Sequence, residues 1–211
     1  MPRPKYITVT PVNDVDGIAA SQTPAAGGVQ SLTLAGALIS DGKAVFLSPH
    51  RIGIASAGDD SGRTFTVTGK GIGGQPLTES VTGANAGTAN TANYFLEVSS
   101  ITTDDDTAGA ITAGVSGLAS SPWYPVNRRS CDFGVSFGCE LVGSSAMTYT
   151  VEHTFDDLQN PLAVITTFDH DSVAAKSASD DGNYEYPPSG IRLIVTSFTS
   201  GTIQFNIHEK G

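Results

Sequence analysis

Cysteine is scarce in this chain: Cys131 and Cys139 are the only two in 211 residues. That excludes a disulfide scaffold. A separation of eight puts both on one face of a single strand, ~26 Å apart at ~3.3 Å per residue. They bridge only if a hairpin folds between them, so buried free thiols are expected. Cations are also few, with 11 Lys and Arg against 21 Asp and Glu and a formal net charge of −10. A nucleic-acid binder needs clustered cations to displace counterions, and Arg128–Arg129 is a single pair. The same charge argues against an anionic membrane surface. No apolar run reaches the ~18 residues of a membrane span. The opening MPRPKYITVT lacks the apolar stretch of a signal peptide, and no Asn-x-Ser/Thr acceptor occurs. Synthesis in a cytoplasm is therefore expected.

What is abundant is light. Gly accounts for 24 residues, Ser, Thr and Ala are common, and hydrophobic content is 39%. Apolar residues alternate along the chain, which excludes disorder and predicts thin antiparallel sheets. The expected class is all-β, with one or two antiparallel β-sandwich domains and an extended N-terminal segment.

Three regions are expected. In residues 1–48, Tyr6–Thr10 and Val29–Leu34 alternate like strands, and DVDGIAASQTPAAGG (14–28) reads as a flexible connector. This region is either an arm that adds a strand to a neighbour or a first pair of strands in the same sandwich. Residues 49–118 read as a β-meander, with strands at Arg51–Ser56, Arg63–Gly69, Leu77–Gly83, Tyr94–Thr102 and Ala110–Val115. Phe65, Val67, Leu77, Val81, Phe95 and, after a one-residue slip, Val98 form the inward set, which predicts a bulge near Leu96. Turns fall at 59–62 and 70–74, and Asp104–Asp106 is an acidic loop. Residues 119–211 read as a second antiparallel sandwich. Trp123 and Tyr124 sit in a Pro-bounded crossing, placed to seal a junction. Val135, Phe137, Cys139 and Leu141 alternate, as do Met147, Tyr149, Val151, His153 and Phe155. Hairpin turns are expected at 143–145 and 197–201, with a long loop over 156–188.

The pieces Thr66–Gly69, Gly74, Thr78–Glu79, Thr82–Thr88, Tyr94–Phe95 and Val98–Thr102, followed by a Gly-Thr-Ala-rich strand, resemble a module that recurs in tailed-bacteriophage virion structural proteins. The closing third resembles the same proteins more loosely. The resemblance carries no functional residues. It implies a non-enzymatic virion part, made in the host cytoplasm, in the tail or head–tail connection, or alternatively a capsid decoration protein. Its implied partners are copies of itself and other virion proteins (tail, portal-proximal or major capsid). Nucleic acid, membrane and cofactors are not expected.

Four patterns suggest other chemistry. Gly69-Lys-Gly71-Ile-Gly-Gly74 matches a dinucleotide-binding glycine motif. That motif needs a helix to follow, whereas Pro76 and the strand-like LTESVTG follow here. Gly134-Val-Ser136-Phe-Gly138 matches a nucleophile elbow, but Ser136 lies within an alternating strand, and spacing does not bring His153 or Asp169 to it. Asp156–Asp157, Asp169–Asp171 and Asp180–Asp181 share one loop without EF-hand spacing. The histidines at 50, 153, 170 and 208 lack zinc spacing. Finally, Trp123, Tyr124, Tyr184 and Tyr186 are candidates for a sugar-stacking platform. A carbohydrate-binding β-sandwich for host adhesion is thus the rival reading from another class. No catalytic, cofactor or metal residue is assigned.

Overall fold

The computed structural model describes residues 4–128, 133–160 and 165–210. The protein is all-β: 61% strand and, among the described residues, no helix and two antiparallel sheets of six and nine strands. The strands are β1 (Lys5–Val9), β2 (Asn13–Gln22), β3 (Gln30–Ser31), β4 (Ile39–Ser40), β5 (Lys43–Ser56), β6 (Thr64–Gly71), β7 (Pro76–Thr82), β8 (Thr88–Asn90), β9 (Phe95–Thr103), β10 (Ile111–Ala119), β11 (Tyr124–Pro125), β12 (Val135–Thr154), β13 (Phe168–Asp169), β14 (Asp180–Tyr184) and β15 (Gly190–Glu209).

The chain divides into two compact units. Val12–Gly117 form one, and the described residues before and after it form the other. The first unit is thus an insertion between β1 and the rest of the second. Its entry and exit are tied together, because the Gly117 N–H donates to the Val12 carbonyl at 2.8 Å. This division differs from the three regions expected. Residues 12–48 join the meander, while β1 pairs with β15 from Lys5↔Ile207 to Val9↔Ile203. The segment read as a connector is largely strand β2, an end strand of its sheet that pairs with β10. Its small, polar composition suits an edge, where only Ile18 and its neighbours need burial.

In the inserted unit the main path of the nine-stranded sheet is β2-β10-β5-β9-β6-β7, with β3 paired to β9 and both β4 and β8 paired to β5. Phe65, Val67, Val81, Phe95 and Val98 enter its core as the alternation predicts, with Leu77 packed against them and partly exposed. The predicted bulge is present: Lys70 faces Glu97 and Gly71 faces Phe95, which leaves Leu96 as the extra residue. Strand β5 serves two neighbourhoods. Its first half pairs with β4 and β9, its second with β8, and its register against β9 slips between Val45 and His50. Pro49 lies in that slip, where no ladder donor is needed.

In the other unit, β12 and β15 pair from Val135↔Glu209 to Thr154↔Gly190. The two hairpins expected at 143–145 and 197–201 do not form. Those turn-like segments oppose each other inside the ladder, where the register shifts between Val142 and Met147. Gly143 and Gly201 there take φ of 66° and 97°. Glycine admits this conformation without a Cβ clash, so the extra residues bend the ladder and do not reverse the chain. Phe137, Cys139 and Phe205 on one side of the bend share a buried cluster with Tyr149, Val151 and Leu193 on the other. The Tyr149 hydroxyl donates to the Ala178 carbonyl at 2.8 Å. One bent ladder therefore supplies both layers of a small β-sandwich. Cys139 is a buried free thiol, and burial pushes its pKa up to about 12. Cys131 and Arg129 lie outside the described residues.

Candidate functional site

The glycine motif at 69–74 is the β6–β7 hairpin. Gly71 N–H donates to the Gln75 carbonyl and Gly74 N–H to the Gly71 carbonyl, both at 2.9 Å. A strand, not a helix, follows, so no helix N-terminus is present to hold a pyrophosphate.

Ser136 lies within β12, exposed, between inward Val135 and Phe137. It faces Asn183 on β14 and His208 on β15. His153 pairs instead with Phe168 and Ile191, and Asp169 with Glu152. Among the described residues, no hydrogen bond joins Ser136 to a histidine.

Several carboxylates hold loops. Asp156 Oδ2 accepts the Thr166 N–H, and Asp157 Oδ1 accepts that of Gln159 at 2.9 Å. Asp180 pairs with Lys176 at 2.7 Å, and that hydrogen bond holds its pKa below the ordinary value. In the inserted unit, Asp105 accepts the Gly28 N–H and Asp106 the Gly27 N–H. Among the described residues, no group of three or more His, Cys, Asp or Glu is placed to hold a metal ion. His50 is fully used: Nε2 accepts the Val12 N–H at 3.0 Å, and Nδ1 donates to the Ser48 carbonyl at 2.6 Å. Trp123 lies over the Arg192 guanidinium at 4.5 Å, and Arg192 Nε donates to Glu152 at 2.7 Å.

What the fold does assemble is a continuous aromatic cluster running from core to surface. It begins at Phe205 and Phe137 (5.6 Å between ring centroids), passes through His170 and buried Tyr184 (4.9 Å), and reaches His153 (5.2 Å from Tyr184). Three rings lie at its outer end: Phe155 just past β12, Phe168 on β13, and Tyr186 just past β14. They are 52%, 49% and 46% exposed. Phe155 is 6.0 Å from Phe168 and 5.9 Å from Tyr186, centroid to centroid. These rings, with His153, Asp169 and Asp171, border an open depression of about 510 Å³.

Local folding explains each position. Phe155 belongs by spacing to the inward set of β12, but the strand ends at Thr154, and the ring turns out. The long loop expected over 156–188 contains β13 and β14, which pair with β12 and bring Phe168 and Tyr184 to His153. His170 braces the loop: its Nδ1 accepts the Val173 N–H at 3.2 Å, so Nε2–H donates to the Asn183 carbonyl at 3.1 Å. Burial, followed by the nearby His170, lowers the His153 pKa, against smaller raising effects of Asp171 and Asp169. Two polar atoms buried in the cluster, His153 Nδ1 and Tyr184 Oη, have no hydrogen-bond partner.

Of the platform candidates, Tyr184 and Tyr186 meet here, Trp123 stacks on Arg192, and Tyr124 pairs through β11 with Ile191. Phe155 and Phe168 were missing from the candidates. Their signal was an aromatic beside acidic residues in both HTFDD and FDHD. Comparisons with protein families, curated proteins and solved structures found no match.

Proposed function

We propose that the protein is a non-enzymatic structural component of a tailed-bacteriophage virion, in the tail or head–tail region, that works by contact between β-rich surfaces of repeated copies. The observation that carries this reading is the outward face of β5. Leu47 is 95% exposed and Val45, two residues earlier on the same face, is 60% exposed. Lys43 and Lys70, both bonded to Glu97 at 3.1 and 3.0 Å, supply charge near that stripe. An apolar centre with a charged rim is the anatomy of a subunit contact. Strands β1 and β7 each end a sheet path, so each offers a backbone edge to which another strand can add. The resemblance over residues 66–102 points the same way. The acidic charge of −10 keeps unassembled copies apart.

The test is sedimentation velocity on the native chain and on a Val45→Asp/Leu47→Asp variant. Both side chains are exposed, so the variant is expected to fold. Loss of the associated species in the variant supports the reading, and unchanged association removes β5 from it. A three-fold assembly would favour the decoration alternative over a six- or twelve-fold tail part.

A further inference from the structure

We infer that the depression bordered by Phe155, Phe168 and Tyr186 is a binding site for a neutral saccharide, with the three rings as a stacking platform and Asp169 and Asp171 as hydroxyl acceptors. The inference is independent of the assembly reading and concerns the other unit of the chain.

Three exposed rings, two of them packed against Phe155, are costly to leave in water, since large apolar side chains are normally buried or scattered singly. Here they converge around one depression of about 510 Å³, within the range of roughly 300–1,000 Å³ of small-ligand sites. The ligand class follows from the lining. The depression is open and edged by carboxylates, which disfavours a purely apolar ligand. Asp169 and Asp171 repel phosphates, uronates and other anions. A quaternary ammonium is held best between separated ring faces. Phe155 and Tyr186 instead lie 5.9 Å apart with planes 33° apart, and Phe155 and Phe168 lie 6.0 Å apart with planes 57° apart, too close to admit a cation between them. The rings fill the space between themselves and present a surface, not a cage. A pyranose matches such a surface, with an apolar C–H face to lay on the rings and hydroxyls to donate to the carboxylates at the border.

A second observation comes from beneath the platform. His153 lines the depression and is 5% exposed, yet its Nδ1 has no partner. A buried polar atom without a partner carries a desolvation cost that packing alone does not repay. Its ring supports the platform from below, at 5.4 Å from Phe155, 5.7 Å from Phe168 and 5.8 Å from Tyr186. The platform is therefore backed by a buried ring carried on strand β12, an arrangement that favours preorganised recognition.

The experiment is saturation-transfer NMR on the full chain with glucose, galactose, mannose and N-acetylglucosamine, together with glucuronate and choline, at concentrations suited to dissociation constants of ~1 mM. The expected result is transfer to at least one neutral sugar, strongest at its ring C–H protons. Phe168→Ala and Tyr186→Ala should each weaken that binding by about tenfold or more. Tyr6→Ala, an exposed ring on β1 that does not line the depression, should leave it unchanged. The inference is overturned by no transfer to any neutral sugar, by a preference for glucuronate or choline, or by binding that survives both ring variants while their melting temperatures stay native. None of these outcomes bears on the association state of the chain, so the two readings fail separately.

Discussion

His50 folds as a neutral imidazole, with both ring nitrogens committed to backbone groups and burial holding its pKa at about 4. The unfolded chain takes up that proton near pH 6.5. Between the two values the unfolded state binds more protons, so stability is full above about pH 6.5 and falls as pH drops toward 4. The lowered pKa of His153 acts in the same direction. By pH 5 the His50 contribution lost is about 2 kcal/mol. Urea midpoints at pH 7 and pH 5 should show that loss in the native protein and a clearly smaller one in His50→Gln. A second residue-scale test concerns Glu152, which faces the Arg192 guanidinium with little exposure on either side chain. Glu152→Gln removes the charge opposite a largely buried cation and should cost about 3 kcal/mol in urea unfolding. At this scale alternation identified most inward residues correctly, such as Phe137, Tyr149 and Phe205. It failed at Phe155, because a side chain follows the strand period only while the strand lasts.

At the scale of elements, β6 and β9 show why glycine pattern is not by itself a ligand signal. A Cβ at Gly69 would stand 1.8 Å from the Glu97 carbonyl oxygen, a backbone atom with nowhere to go. Gly69→Ala should therefore part β6 from β9 at a cost of about 3 kcal/mol or more, read as a large drop in melting temperature. Gly138→Ala is the matched control: nothing lies within 4 Å of its Cβ position, and its effect should stay within about 1 kcal/mol. The same elements show what local signals leave open. Gly-Ser-Ser at 143–145 carries ordinary hairpin chemistry, and only its partner decides between reversal and bend. That partner, Thr202 opposite Val142, lies 60 residues downstream. The aromatic depression was equally hidden, because it needs β13 and β14 laid against β12 from within a segment that reads as loop.

At the scale of the whole chain, the insertion of Val12–Gly117 between β1 and the remaining strands was not legible, since β1 finds its partner about two hundred residues away. The all-β class was legible, because composition and alternation act locally and everywhere. The inserted unit has its own core, and Val12 and Gly117 are hydrogen-bonded to each other. Expressed alone, residues 12–117 should therefore melt cooperatively with a β-type circular dichroism spectrum. The proposed assembly rests on exposed β surfaces. Its most direct test is the mass of the native chain by light scattering across a concentration series. Surface-driven assembly predicts one defined oligomer, its population rising with concentration, with a mass that is an integral multiple of 21.7 kDa. A mass that stays at that of one chain throughout the series would contradict it.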